Sequence, residues 1–254
     1  MESTASLAAQ HVLSHFHRVP RTQPMFVALQ GPQGSGKTYL TRSLVSSLSS
    51  PPHSLRVATL SVDDLYLNHL GLHTLASENP GNPLWRGRGQ PGTHDVKLGA
   101  DILRRLREVN VEDGIAESQI VLPIFDKSKH NGEGDRAHAG TLVNLPIDVF
   151  ILEGWCVGFY PLEQPELDEM WENVCSMSET IPGSIIQRAM EAIRKEDIEA
   201  VNHALCDYVK EWYGFFEVFV QVSSNFIRSI LVCLFEGCNS ATQCKDSITN
   251  THSV

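Results

Sequence analysis

Eight consecutive residues, Gly31-Pro32-Gln33-Gly34-Ser35-Gly36-Lys37-Thr38, satisfy the pattern G-x-x-x-x-G-K-[ST]. Its glycines let the backbone take conformations closed to other residues, so that successive N–H groups converge on a phosphate at the positive end of a helix. In such a loop Lys37 bridges the β- and γ-phosphates of a nucleotide, and the Thr38 hydroxyl is a Mg²⁺ ligand. Tyr39 extends the candidate nucleotide contact by one position.

Further groups of residues could act on a bound phosphate. Asp63 and Asp64 close an apolar run, where ligands sit in open α/β sheets. Transfer of a phosphoryl group to an alcohol needs a carboxylate that orients the hydroxyl and accepts its proton. Asp63 is the candidate base, and Asp64 faces metal waters or serves structure; the plain alternative is a turn or helix-cap pair. Glu153 ends the run Val149-Phe150-Ile151-Leu152 and is followed by Gly154. Thr38, Glu153 and Asp63 form the candidate Mg²⁺ set. Arg86 and Arg88 lie in one Gly-rich stretch, and Lys127, Lys129, His130, Asp135 and Arg136 in another. A guanidinium fork there would match a carboxylate or phosphate.

The elements that must hold these groups are legible from apolar spacing. Met25 to Leu29 reads as a strand buried on both faces, and Leu40, Leu44, Val45 and Leu48 form the stripe of a helix that starts at Lys37. Leu55 to Val62 completes a βαβ unit. Glu78 to Thr93 reads as a long loop, and Asp95 as the N-cap of a helix with its stripe at Ile102, Leu103, Leu106 and Val109. Gln119–Phe125 and Val149–Leu152 read as strands, with a polar loop over 126–140 between them. Helices follow Pro161, with stripes at Ile185, Ile186, Ala189 and Ile193 and at Ile198, Val201, Leu205, Tyr208 and Trp212; Phe215–Val222 reads as a last strand. Such alternation predicts an α/β fold of the P-loop NTPase type, with a mostly parallel sheet flanked by helices. Residues 1–24 read as a helical N-terminal extension, 25–222 as the nucleotide-binding domain and 223–254 as a tail.

Composition narrows the function. The chain of 254 residues has a formal net charge of −10, and 161–211 carries twelve acids against four bases. Nucleic-acid binding as a main activity is disfavoured, because phosphate neutralisation needs a basic surface. The longest apolar stretch, Phe215–Phe235, is interrupted by Glu217, Gln221, Asn225 and Arg228, so no membrane span is expected. Six cysteines without a C-x-x-C pair read as reduced thiols of a cytoplasmic protein, with the nucleus also open. There is no N-K-x-D guanine-reading motif, and the acid after the third strand is a lone Glu-Gly, unlike the acid pair of ATPase motors. The sequence leaves the oligomeric state open.

The ordered set GPQGSGKT, Ser61-Val62-Asp63-Asp64-Leu65-Tyr66, RGRGQPGTHD, Pro123-Ile124-Phe125-Asp126-Lys127-Ser128 with Gly132-Glu133-Gly134-Asp135-Arg136, and Ile151-Leu152-Glu153-Gly154-Trp155 resembles D-glycerate 3-kinase and its fungal ATP-dependent kinase relatives. These belong to the group that also holds uridine kinase, phosphoribulokinase and pantothenate kinase. The resemblance implies sheet order 2-3-1-4-5, ATP and Mg²⁺ as cofactors, and phosphoryl transfer to a small hydroxylated substrate, D-glycerate being the one it suggests. It aligns Asp63 with the substrate-activating acid. It also lines up the loops around Arg88 to Asp95 and Asp126 to Arg136 with the substrate-binding region, and the candidate substrate contacts are Asp64, Tyr66, Arg86, Arg88, His94, Asp95, Lys127 and Arg136.

After Val222 the chain departs from that family. Where the family continues with a W-R-L-Q-Q-E-type helix bearing the arginine expected to close over the phosphates, this chain reads Ser223-Ser224-Asn225-Phe226-Ile227-Arg228, and Arg228 does not align with that arginine. Two readings therefore stand beside the kinase: an ATP-binding protein with little or no turnover, and an ATPase or DNA-associated module, the latter opposed by the acidic charge.

Overall fold

The computed structural model describes residues 3–108, 118–180 and 185–222. The tail beyond Val222, with Arg228 and three of the six cysteines, and Val109 lie outside the described residues.

Four parallel strands form the central sheet: β1 (Met25–Gln30), β2 (Val57–Ser61), β7 (Val149–Gly154) and β8 (Val218–Gln221), in the order β2-β7-β1-β8. Numbered along the chain as core strands, these lie in the order 2-3-1-4; a fifth member is not found among the described residues. β1 pairs with β7 from Met25↔Val149 to Gln30↔Gly154 and with β8 from Val27↔Val218 to Gln30↔Gln221. A strand flanked on both sides has no edge to solvent, which is why its six residues are all buried and read as one apolar run.

Side chains of these strands alternate between two cores, as the two-residue repeat requires. Met25, Val27 and Leu29 join Val149, Ile151, Val218 and Val220 under α1 (Thr4–Phe16) and α2 (Lys37–Ser49). Phe26 and Ala28 join Ala58, Leu60, Phe150 and Leu152 on the opposite face. That second face is covered by α4 (Val96–Glu108), α5 (Gln164–Thr180), α6 (Ile185–Ala192) and α7 (Lys195–Glu211). Ala8, Ala9 and Val12 of α1 are fully part of the first core, so the N-terminal helix packs on the sheet as one of its covering layers. The Ser3 hydroxyl caps it by accepting from the Ser6 amide at 3.1 Å.

Two expectations change. The run Gln119–Phe125 does not enter the parallel sheet. β3 (Gln119–Leu122) pairs antiparallel with β6 (Thr141–Asn144), and β4 (Phe125–Asp126) with β5 (Asp135–Arg136). The reason is one-sided burial: Ile120 and Leu122 are buried while Val121 and Leu142 point to solvent, the alternation of an outlying ribbon. The second change is α3 (His69–Glu78), a helix where no periodic stripe announced one. Its start is fixed by Asn68, whose Oδ1 accepts from the Gly71 amide at 2.8 Å.

Candidate active site

The glycine-rich loop leaves β1 at Gln30 and enters α2 at Lys37. Gly34 and Gly36 hold φ of +79° and +86°, the left-handed region that favours glycine, and a Cβ at Gly31 would come within 3.0 Å of Ser35, Lys37 and Val222. Lys37 is buried, and its ammonium donates to the Pro32 carbonyl at 2.9 Å. An ammonium has three protons, so two remain for phosphate oxygens. Burial pushes the Lys37 pKa below its ordinary value, while the Glu153 and Asp63 carboxylates pull it back up. Gln33, Thr38 and Tyr39 are exposed around the loop.

Glu153 and Ser61 are partners in the β2–β7 register. Ser61 sits opposite Glu153 and lowers its carboxyl pKa, and its hydroxyl accepts from the Asp63 amide at 3.3 Å. That amide opens a 3₁₀ turn, Val62–Leu65, which carries both aspartates. Burial pushes the Glu153 pKa upward, opposed by Ser61 and by the Lys37 charge. Asp63 Oδ1 accepts from the Tyr66 hydroxyl at 3.2 Å, and Asp63 Oδ2 receives the Lys127 ammonium at 2.6 Å. Asp64 turns the other way: its Oδ1 accepts from the Phe125 amide at 2.9 Å, and burial raises its pKa. Of the two roles open to Asp64, the contact made here is structural, fastening β4 beneath the turn.

The segment 93–95 is stitched to this turn by Leu67 N–H to Thr93 O at 2.9 Å and Asp95 N–H to Leu65 O at 2.7 Å. Asp95 caps α4 as expected, with Oδ1 accepting from the Leu98 amide at 3.0 Å, and its Oδ2 takes Arg136 at 3.1 Å.

No family model matches the chain. Over 142 residues it is 39% identical to the protein of Saccharomyces cerevisiae named "Probable ATP-dependent kinase TDA10", an alignment covering 56% of this chain and 48% of that one. It is 38% identical over 141 residues to the chloroplastic D-glycerate 3-kinase of Arabidopsis thaliana, covering 55% of this chain and 30% of the relative. The solved structure of D-glycerate 3-kinase from Cryptococcus neoformans var. grubii matches with a TM-score of 0.75 at 33% identity, over 87% of this chain and 73% of the other. The chain belongs to the family of D-glycerate 3-kinase and its ATP-dependent kinase relatives. It spans about half, or less, of the length of the two curated relatives.

The family's substrate-region residues are not equally placed here. His94 is buried between Tyr66, stacked on it at 4.4 Å between ring centroids, and Tyr208, whose hydroxyl shares a hydrogen bond with His94 Nδ1 at 2.6 Å. Complete burial lowers its pKa to about 3, so the ring is neutral and supports Tyr66 from behind. Tyr66 presents its hydroxyl to Asp63, and its own pKa is raised by burial. Arg88 is committed to backbone, donating to the Gly132 and Glu133 carbonyls at 2.7 and 2.5 Å. Arg136 donates to the Tyr66 carbonyl as well as to Asp95. Arg86 stands exposed. Arg88 thus ties its loop to that of Glu133, and Arg136 ties its own to the end of the turn that carries the aspartates, while Lys127 is a half-exposed cation at Asp63. Ser61, which links Glu153 to Asp63, went unnoticed in sequence because a serine at a strand end has no spacing signature; its register opposite Glu153 reveals it.

Proposed function

We propose that the protein is an ATP-dependent small-molecule kinase that transfers the γ-phosphoryl group to a hydroxyl of a small polar acid, with D-glycerate as the leading acceptor. The observation that carries the reading is that three separate segments end together at one end of the parallel sheet: the glycine-rich loop leaves β1 at Gln30, whose partner on β7 is Gly154, next to Glu153, and Glu153 pairs with Ser61, whose hydroxyl accepts from the Asp63 amide. The glycine-rich loop amides and Lys37 would cradle the triphosphate. Asp63 would hold the acceptor hydroxyl and take its proton as the oxygen bonds to phosphorus and the bond to the β-phosphate oxygen breaks, releasing ADP. Catalysis of this kind is mostly positioning and charge stabilisation.

The residues fit a Mg²⁺ ion. An exposed hydroxyl at Thr38, and carboxylates at Glu153 and Asp63, are the hard oxygen donors that ion takes. When bound it would neutralise charge on the phosphate oxygens. The acceptor's carboxylate would meet Lys127, the half-exposed cation at Asp63, with the exposed Arg86 as a second candidate. The names of the relatives support the same chemistry: two are D-glycerate 3-kinases and one an ATP-dependent kinase.

The test is ADP release from ATP across a panel of hydroxy acids, nucleosides and pantothenate, using the full chain. Stimulation by D-glycerate that disappears in Asp63→Asn supports the reading. ATP-dependent thermal stabilisation with no acceptor-stimulated release would leave a nucleotide-binding protein without turnover.

A further inference from the structure

Away from the phosphate loop, three side chains meet at one point. His69 and His73 are four residues apart on α3, hence on one face a turn apart. Glu133 comes from the loop 130–134, whose backbone is folded tightly enough that His130, Asn131, Gly132 and Gly134 all have positive φ. Glu133 Oε2 lies 2.7 Å from His69 Nε2 and 3.0 Å from His73 Nε2, and the two Nε2 atoms are 3.1 Å apart. Hydrogen bonding explains two sides of this triangle but not the third. If both imidazoles donate to the carboxylate, their N–H groups face each other across 3.1 Å; if one accepts, it forgoes the carboxylate. A cation at the centre satisfies all three lone pairs together.

We propose that His69, His73 and Glu133 form a binding site for a first-row divalent transition ion, zinc being the best match, which clamps α3 to the loop 127–136. Two imidazoles and one carboxylate are a borderline donor set that suits zinc, whereas Mg²⁺ and Ca²⁺ take oxygen. Tetrahedral zinc at about 2.0–2.1 Å from each ligand needs donor atoms about 3.3 Å apart, so the sides of the triangle have to open by about 0.2 to 0.6 Å, the Glu133–His69 side the most. Side-chain exposures of 26% for His69 and 59% each for His73 and Glu133 leave the outer face to water as the fourth ligand.

The framework around the triangle is already set. The His69 ring stacks on His130 at 3.7 Å between centroids, its amide donates to Asp135 Oδ1 at 2.9 Å, and the carbonyl of Glu133 is held by Arg88. The clamp is structural: it fixes the loop from which Lys127 reaches Asp63. It stands whether or not the kinase reading does.

The experiment uses the full chain, stripped with a chelator and titrated with Co²⁺ and then Zn²⁺, reading visible ligand-field absorption, stoichiometry and the thermal midpoint. The expected result is one equivalent per chain with nitrogen/oxygen-type bands, displaced by Zn²⁺ and not by Mg²⁺, and a raised midpoint. His73→Ala and Glu133→Gln, both at exposed positions, should each weaken binding by more than about tenfold, the loss that disturbing a ligand's support alone can bring. Absence of saturable uptake, thiolate charge-transfer bands, or unchanged affinity in both variants would overturn the site.

Discussion

The Lys127 ammonium lies 2.6 Å from Asp63 Oδ2, while the Tyr66 hydroxyl donates to the other oxygen at 3.2 Å. The candidate base is therefore held from both sides, once by a charge on a mobile-length stem and once by a phenol anchored in the interior. Half of the Lys127 side chain is exposed, so the pair contributes only about 0–1 kcal/mol to stability. Its value is in orientation. Asp63→Asn is expected to lower acceptor-stimulated ADP release by roughly 10²–10⁴-fold, the usual contribution of a positioned base, with ATP binding kept. Lys127→Ala should leave the urea midpoint nearly unchanged while raising KM for an acidic acceptor. Steady-state kinetics beside equilibrium unfolding separates the two effects.

Lys37 makes a contrasting prediction. Its ammonium is buried against Pro32 O, and burial disfavours its charge. Removing one partner from a set of buried charges destabilises, because the charges left behind lose their counter-ion, and Lys37→Met leaves the Glu153 and Asp63 carboxylates and the Pro32 carbonyl without the ammonium. Lys37→Met should therefore unfold at a lower temperature without nucleotide. The wild-type protein should gain about 2.7 kcal/mol at an ATP concentration a hundred times its Kd, and the variant should gain almost nothing. Differential scanning calorimetry with and without Mg-ATP reads both.

Gly99 tests the packing of α4 on α7. A Cβ there would sit 2.6 Å from the Trp212 ring, whose indole N–H donates to Val96 O at 2.9 Å and which is almost fully buried. Gly99→Ala gains up to about 1 kcal/mol of helix propensity but overpacks the contact at a cost of about 1–3 kcal/mol. The net expectation is a lower thermal midpoint with ATP affinity intact, since the phosphate loop lies on other elements.

How far the sequence foretold these arrangements depended on how local the signal was. The glycine-rich loop, β1, β7, α2 and the Asp95 cap were readable because burial pattern and turn chemistry lie within a few residues. The ribbon of β3 with β6 is not legible because Gln119–Leu122 pairs with Thr141–Asn144, 19 to 25 residues away, which a single apolar run cannot announce. α3 was missed because Leu72 is its one buried residue, too little for a stripe. By type alone Arg88 and Arg136 suit either an anion clamp or a solvated loop. Only the fold shows that carbonyls of Gly132, Glu133 and Tyr66 already take them.

His94 gives a prediction in pH. Complete burial lowers its pKa from about 6.5 to about 3, and its Nε2 has no partner in the interior. Between those values the unfolded chain binds a proton that the folded chain refuses. The unfolded state therefore carries more bound protons, and stability rises with pH. Read downward, acidification from pH 6.5 removes about 1.4 kcal/mol per unit through this one residue, or roughly 2 kcal/mol by pH 5. Asp64 and Glu153, whose pKa values burial raises, act with the opposite sign, but they do so in any variant that keeps them. His94→Phe retains a ring against Tyr66 and cannot titrate. Urea unfolding at pH 7, 6 and 5 should give a wild-type stability that falls more steeply than the variant's by about one proton's worth. Parallel slopes would mean that the imidazole is charged inside the fold, and that the Tyr66 ring behind Asp63 rests on a cation.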